Sequence, residues 1–263
     1  MNAVMEFPIV LKPSGSVRPC ATCGVRRVSV CDAIPEAYLA RLGAVAIGGV
    51  ARAGTLFIEE ADDATAFFNI VSGTARLYKL LPDGRRQITG FANGGSFLGL
   101  AVSDFYAFSA EAIDTVRYCR FPRIALRALM RDFPRMEERL LKFASTELVA
   151  AQEQMLLLGR KSARERVASF LMARARLAPG NPAGNPAGNP AGHPAGNRRA
   201  PARFVLPMTR GDIADYLGMT IETVVRTLRK LRDERLIEIT NTQDVAIRDV
   251  PGLRSLAEGS HRV

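Results

Sequence analysis

Residues 208–231 restrict the fold of this chain most narrowly, because they predict two short helices joined by a tight turn. Thr209 supplies a capping hydroxyl for the first helix, and Asp212 places an acid in its first turn. Gly218 can adopt the left-handed conformation that ends a helix, and Thr220 can begin the next helix as its N-cap. The segment is therefore predicted to form a helix-turn-helix.

The second of these helices has two chemically distinct faces. An inward stripe of apolar residues recurs at helical spacing: Ile221, Val224, Leu228 and Leu231. Another face carries the candidate base-reading residues Glu222, Val225, Arg226 and Arg229. Such side chains can pair with guanine, accept a hydrogen bond from cytosine or touch a thymine methyl group in the major groove. The alternative is a solvated face on which Glu222 and Arg226 form an i,i+4 salt bridge.

The sequence after this helix predicts a short β-hairpin. Residues 236–239 and 245–247 are apolar at alternate positions and flank the polar turn 240–244, so the unit is a winged helix-turn-helix. The chain holds 36 Lys and Arg against 26 Asp and Glu, a net charge of +10. A strongly basic balance favours an anionic partner, and together with the helix-turn-helix it indicates DNA.

Residues from about 45 to 125 form short apolar runs separated by turn signals. Residues 67–71, 75–78 and 87–91 are typical strand segments, and Gly73, Asp83-Gly84 and Asn93-Gly94 lie in the turns that follow them. Several short strands at this spacing predict an all-β sandwich or barrel, here interpreted as a β-roll.

Residues 133–158 predict one long helix, since they contain no glycine and their only proline, Pro134, lies in the first turn. Apolar residues separated by alternate steps of three and four form a heptad seam typical of a two-helix dimer. These seam residues are Leu141, Ala144, Leu148, Ala151, Met155 and Leu158. The alternative is a helix that packs only on its own β-domain.

Three further features of the sequence limit the classes of protein to which this chain can belong. A Gly-Asn-Pro-Ala repeat at about 179–197 excludes a helix there and predicts a flexible insertion. The two histidines, His193 in the repeat and His261 near the end, form no nucleophile–base motif, so we expect no enzyme. Without a signal peptide or an apolar run long enough to cross a bilayer, the chain is expected to be cytoplasmic, with no membrane partner.

The four cysteines are the remaining candidate site. Cys20 and Cys23 form a CxxC pair, Cys31 follows after seven residues, and Cys119 lies far along the chain in a predicted strand. In a cytosolic protein such a set favours metal or redox chemistry over structural disulfides. The spacing leaves an iron–sulfur cluster, zinc, a thiol redox pair and, for Cys119, an ordinary core position all open. The neighbouring Arg26 and Arg27 would favour an anionic cluster.

The whole chain apart from the repeat resembles the CRP/FNR family of bacterial transcription regulators, in particular its oxygen-sensing FNR branch. The resemblance rests on the C-x2-C-x7-C spacing, on Cys119 and on residues 87–91, 155–158, 208–213, 216–218 and 220–224. It implies an α+β fold with a cyclic-nucleotide-binding-like jelly roll (the β-roll), a long dimerisation helix and a C-terminal winged helix-turn-helix. The corresponding divisions are an N-terminal cysteine segment (1–35), the β-roll (36–130), the dimerisation helix (131–158) and the DNA-binding domain (159–263).

The resemblance also implies a mechanism. Cys20, Cys23, Cys31 and Cys119 would ligate a [4Fe–4S] cluster, and the loaded homodimer would bind a palindrome such as TTGAT-N4-ATCAA as an activator, with RNA polymerase as a partner. Oxygen would convert the cluster to a [2Fe–2S] form and loosen the dimer. No cyclic nucleotide is expected, because residues 95–110, which match the family's ligand-binding stretch, contain no arginine to meet a phosphate.

Two departures from the family pattern bear on this expectation. Val225 stands where FNR-like recognition helices usually carry serine, so it could still contact a thymine methyl group but without a hydrogen bond, which leaves the half-site preference at that position open. Ala151 lies in the seam where some members carry an acid that opposes dimerisation, which suggests a lower barrier to dimerisation of the cluster-free chain. The alternative function is a FixK-like or small-ligand-responsive regulator of the same family, whose cysteines bind zinc or no metal.

Overall fold

The computed structural model describes residues 20–100, 104–177 and 203–259. Two four-stranded sheets, a long helix and a helical domain with a small sheet follow one another along the chain, which confirms the predicted α+β class. The Gly-Asn-Pro-Ala repeat lies outside the described residues. Among the helices within them, none combines the length and hydropathy that a membrane span requires.

The cysteine segment folds into consecutive 3-10 turns at Cys20–Thr22, Arg26–Val28, Val30–Ala33 and Glu36–Tyr38, followed by helix α1 (Leu39–Val45). Several of its apolar side chains are buried, and Val30, Ile34 and Leu42 are fully enclosed. They share one core with residues of the β-roll and of the long helix, so the segment is anchored to both.

The β-roll consists of two antiparallel sheets with strand orders β1-β8-β3-β6 and β2-β7-β4-β5. Its strands are β1 (Ile47–Ala51), β2 (Leu56–Ile58), β3 (Ala66–Ser72), β4 (Ala75–Leu80), β5 (Arg86–Ala92), β6 (Phe97–Leu98), β7 (Ser109–Ala112) and β8 (Val116–Pro122). The sheets enclose a core that contains Phe68, Ile70 and Val116. The turns after β3 and within the β4–β5 hairpin place Gly73 and Gly84 at positive φ, as glycine at these predicted turns allows.

Two helices follow the β-roll: α2 (Arg123–Asp132) and α3 (Arg135–Arg160). Pro134 is the N-cap of α3, and Glu137 and Glu138 lie in its first turn, where acids favour the positive end of the helix dipole. Met136, Phe143 and Leu157 are the buried residues of α3. A 26-residue helix that buries so few side chains leaves much of its surface without a partner among the described residues.

The C-terminal domain contains α4 (Ala163–Leu177), β9 (Arg203–Val205), α5 (Arg210–Leu217), α6 (Ile221–Asp233), β10 (Ile237–Ile239), β11 (Asp244–Ile247) and α7 (Val250–Ala257). The predicted hairpin is β10–β11, and β9 adds a third strand beside β11. Side chains from α4, α5, α6 and α7 meet in one core, with Leu171, Ile213 and Leu231 fully buried.

Candidate functional site

The first helix of the helix-turn-helix, α5, begins at a reciprocal capping box. The Thr209 hydroxyl accepts a hydrogen bond from the backbone N–H of Asp212, and the Asp212 carboxylate accepts one from the backbone N–H of Thr209. The helix ends at Gly218, whose backbone is left-handed (φ 60°, ψ 48°), and Thr220 caps α6 by accepting from the N–H of Thr223. The predicted starts of both helices and the predicted end of α5 are confirmed.

Helix α6 exposes the four candidate base-reading residues, Glu222, Val225, Arg226 and Arg229. Val224, Leu228 and Leu231 form the buried stripe on the opposite face. Ile221 departs from the predicted stripe, because it lies in the first turn at the domain surface and is 50% exposed; Thr227 is buried instead. Within the described residues no ion pair joins Glu222 to Arg226, so both side chains stay available for a partner.

Glu222 lies at the N-terminus of α6, and its carboxylate accepts from its own backbone N–H and from the Thr220 hydroxyl, which together lower its pKa. The carboxylate is therefore ionised throughout the neutral range. An ionised carboxylate accepts hydrogen bonds only, and the exposed amino group of cytosine is a donor of that kind.

The fold brings Cys20, Cys31 and Cys119 together at one core beside the β-roll. Cys119 occupies the middle of β8, opposite Gly48 of β1 and Asn69 of β3. Cys31 is buried in the core shared with the cysteine segment, and Cys20 and Cys119 pack against that core. Residues separated by about 90 positions in sequence thus share one apolar environment.

The cysteine thiols also share an electrostatic environment. Burial is the main cause that raises the pKa of Cys31 to about 12 and of Cys119 to about 11. The pKa of Cys20 is raised by burial and then by Cys23, while Arg26 lowers it. Because like charges repel, the nearby Cys23 raises the pKa of Cys20, Cys31 and Cys119 further, and a cation would stabilise their thiolates.

The four cysteines do not form a closed mononuclear metal site. Among the described residues, no three His, Cys, Asp or Glu side chains are arranged to hold a single metal ion.

Comparison with known proteins identifies the family of this chain. A family profile described as "Crp-like helix-turn-helix domain" matches residues 165–256, and one described as "Cyclic nucleotide-binding domain" matches residues 50–133. The nitrogen fixation regulation protein FixK of Bradyrhizobium diazoefficiens is 38% identical over 88% of this chain and 90% of its own length. The chain belongs to the CRP/FNR family of transcription regulators.

Two further relatives of this CRP/FNR regulator support the assignment. The transcriptional activatory protein AadR of Rhodopseudomonas palustris is 43% identical over 82% of this chain and 84% of its own. The structure of FixK2 from Bradyrhizobium japonicum matches with a TM-score of 0.69 and 32% identity, over 81% of this chain and 97% of that one. These relatives are transcription regulators, which confirms a DNA-binding transcription activator rather than an enzyme.

The predicted dimer seam of the CRP/FNR regulator lies on the free face of α3. Leu148 is 61% exposed, and Leu141 and Met155 are exposed to a similar extent, with Ala144 and Ala151 between them. Leu158, the last seam position, differs from the others because it is partly buried against Gly218 of its own DNA-binding domain. The seam residues remain predictions, and their exposure leaves them free for a second helix.

Sequence reasoning missed the ionic junction between the β-roll and α5. Arg76 Nη1 and Arg86 Nη2 donate to the Asp212 carboxylate at 2.9 and 3.0 Å, and Arg86 Nη2 also donates to Asp215 at 2.8 Å. The amide of Gln87 donates to the backbone oxygen of Asp215. Of these residues, the sequence singled out only Asp212, as a capping residue of α5. The positions of Arg76 and Arg86 in the sequence did not indicate that they pair with α5.

Proposed function

We propose that this regulator is an oxygen-responsive transcription activator, active as a homodimer in which Cys20, Cys23, Cys31 and Cys119 of each chain hold a [4Fe–4S] cluster. The observation that carries the proposal is that Cys31 is buried in one core and Cys20 and Cys119 pack against it, while Cys23 lies near enough to raise the pKa of all three. Such a donor set fits a group that supplies positive charge and accepts thiolate ligands.

The residues around the cysteines connect them to the dimerisation helix. Val30 and Cys31 pack in the same core as Met136 and Phe143 of α3. The Arg139 guanidinium of α3 donates to the backbone oxygen of Arg27 at 3.2 Å. A change in the conformation of the cysteine segment would therefore act directly on the inner face of α3, whose outer face carries Leu141 and Leu148.

When bound, an iron–sulfur cluster supplies a ligand bridge that oxygen can break. The protein itself supports the dimer: the cysteine segment holds α3 in place, and the seam residues pair the α3 helices of two chains. Pairing two α3 helices would set the distance between two copies of α6, as an operator with two-fold symmetry requires. We propose that this operator is an FNR-type palindrome, TTGAT-N4-ATCAA, read by Glu222, Val225, Arg226 and Arg229.

We further propose that RNA polymerase is a partner of the DNA-bound dimer and that no cyclic nucleotide is required. Residues 95–100 and 104–110, the described part of the family's ligand-binding stretch, contain no arginine to neutralise a phosphate. Activation would then depend on the cysteines rather than on a nucleotide.

The test is to measure iron and acid-labile sulfide in protein purified without oxygen, followed by operator binding before and after exposure to air. We expect about four irons and four sulfides per chain and a loss of operator binding in air. A Cys23→Ser variant should lose both the iron and the binding. An Ala21→Ser variant, which puts the same side chain at an exposed position of the turn that precedes Cys23, should keep them.

A FixK-like function without a cluster is the second candidate, and the identity to FixK proteins favours it. It predicts that the parent and Cys23→Ser bind the operator equally well in air. Zinc in place of iron, with a colourless protein indifferent to oxygen, would also contradict the proposed oxygen sensor while leaving DNA binding intact.

A further inference from the structure

The side chain of Asn69 lies beside the cysteines, in the middle of the first sheet of the β-roll. Asn69 of β3 is the register partner of Cys119 in β8 on one side and of Phe97 in β6 on the other. Directly opposed residues of antiparallel strands point to the same face, with Cβ atoms about 4.5–5.5 Å apart. Phe97 and Phe67, two residues before Asn69, both belong to the core against which Cys119 packs. Asn69 therefore faces that core as well.

The amide of Asn69 is buried and unsatisfied. Asn69 is 1% exposed, and among the described residues its Oδ1 has no hydrogen-bond partner. An unpaired amide in an apolar core destabilises a folded chain, so this position would be more stable with an apolar side chain of the same shape. A half turn of the amide about its Cβ–Cγ bond exchanges Oδ1 and Nδ2, so the same place can present an N–H donor.

Two other polar side chains near the cysteines are already engaged. The Ser29 hydroxyl donates to the backbone oxygen of Arg26 at 3.1 Å and accepts from the backbone N–H of Cys31 at 3.3 Å. Arg26 Nη2 donates to the backbone oxygen of Ile34 at 3.2 Å, and the charge of Arg26 lowers the pKa of Cys20. Neither side chain belongs to a strand beside β8, whereas Asn69 lies directly opposite Cys119.

An amide suits a thiolate that binds a metal. Such a thiolate keeps lone pairs that accept hydrogen bonds, and an amide N–H can donate to them without adding a charge. Partners of this kind orient the ligands of a metal, and hydrogen bonds to sulfur are among the features that set the reduction potential of an iron–sulfur cluster.

We propose that the Asn69 side chain donates a hydrogen bond to the Cys119 thiolate when the cysteines hold their cluster. The inference rests on the proposed function, because the acceptor is the ligated thiolate. Asn69 is then a positioning residue for the ligand that lies farthest along the chain from the other three. In the cluster-free chain the same amide stays unpaired and weakens the β-roll.

The test compares the parent with Asn69→Leu, which replaces the amide with an apolar group of similar shape. In the cluster-free chain, Asn69→Leu should raise the urea midpoint of unfolding, because it removes the unpaired amide. In the loaded protein, an anaerobic dye-mediated titration should give a more negative reduction potential, because the lost N–H stabilised the added negative charge of the reduced form. An asparagine with a merely structural role would change the first measurement and leave the second unmoved.

Ile70→Leu is the matched control. Ile70 follows Asn69 in β3 but lies in the core that the two sheets enclose, on the other face of the strand. This variant should keep the reduction potential of the parent.

Each outcome decides the role of Asn69. A cluster-free Asn69→Leu chain that is less stable than the parent, or does not fold, would show that the amide already has a partner there and would overturn the proposal. A parent without iron would overturn the proposed cluster and this role together. A loaded parent and a loaded Asn69→Leu protein with the same potential would overturn this role alone.

Discussion

Arg86 of the β-roll donates to Asp215 of the helix-turn-helix at 2.8 Å, across 129 positions of sequence. The same guanidinium reaches Asp212, which is 1% exposed and also caps α5. Two arginines of one domain therefore fix the start of the helix that supports the recognition helix in the other. The orientation of the DNA-reading face depends on this ionic junction as well as on the local turn.

Asp212 should contribute far more to stability than Asp215. Asp212→Ala removes the capping box and the carboxylate that Arg76 and Arg86 share, at a cost of about 2 kcal/mol, while Arg76 keeps Glu111 and Arg86 keeps Asp215 as partners. Asp215 is 34% exposed, and Asp215→Ala should cost less than about 1 kcal/mol. Urea unfolding of both variants measures the difference, and equal losses would show that Asp212 is not the centre of the junction.

Arg226 should determine sequence-specific binding. Arg226→Ala removes a bidentate donor from the exposed face of α6, and we expect a loss of about 1–3 kcal/mol on the proposed palindrome with little change on unrelated DNA. Arg232→Ala is the control, since Arg232 is an exposed arginine of the same helix that pairs with Asp233 at 3.1 Å. Electrophoretic mobility shifts with the palindrome and with unrelated DNA measure the two affinities. The prediction fails if Arg226→Ala binds the palindrome as tightly as the parent does.

Leu148 should be needed for dimerisation. Leu148→Glu places a charge in the predicted apolar seam, and we expect the dimer to dissociate at least tenfold more readily, about 1.4 kcal/mol. Ile124→Glu makes the same kind of change at an 87% exposed position of α2 outside the seam and should leave the dimer intact. Analytical ultracentrifugation distinguishes the two, and a dimeric Leu148→Glu protein would move the interface elsewhere.

Ala151 should permit dimerisation without a cluster. We expect the apo-protein to dimerise at micromolar concentration and Ala151→Glu to weaken that association, because it introduces like charges across the seam. Sedimentation of both proteins tests this hypothesis. A strictly monomeric parent under those conditions would refute it.

The fold class could be predicted in full, and the candidate sites only in part. Heptad spacing placed the seam on a free face of α3, and the caps at Thr209 and Thr220 gave the bounds of the helix-turn-helix. Ile221 was predicted to be buried but is exposed, because hydrophobic periodicity along a helix does not show where the surface of the domain begins. Helix α2 was missed because no pattern distinguished it from the end of the β-roll.

The sequence by itself determined the features that depend on neighbours along the chain: caps, turn glycines, strand segments and the two faces of α6. Only the tertiary structure placed Cys119 beside the N-terminal cysteines, joined Arg86 to Asp215 and set Asn69 opposite Cys119. Local conformation follows from backbone sterics and hydrophobic periodicity over a few residues. Contacts between residues far apart in sequence depend on how the β-roll, α3 and the DNA-binding domain pack, and no spacing along the chain specifies that packing.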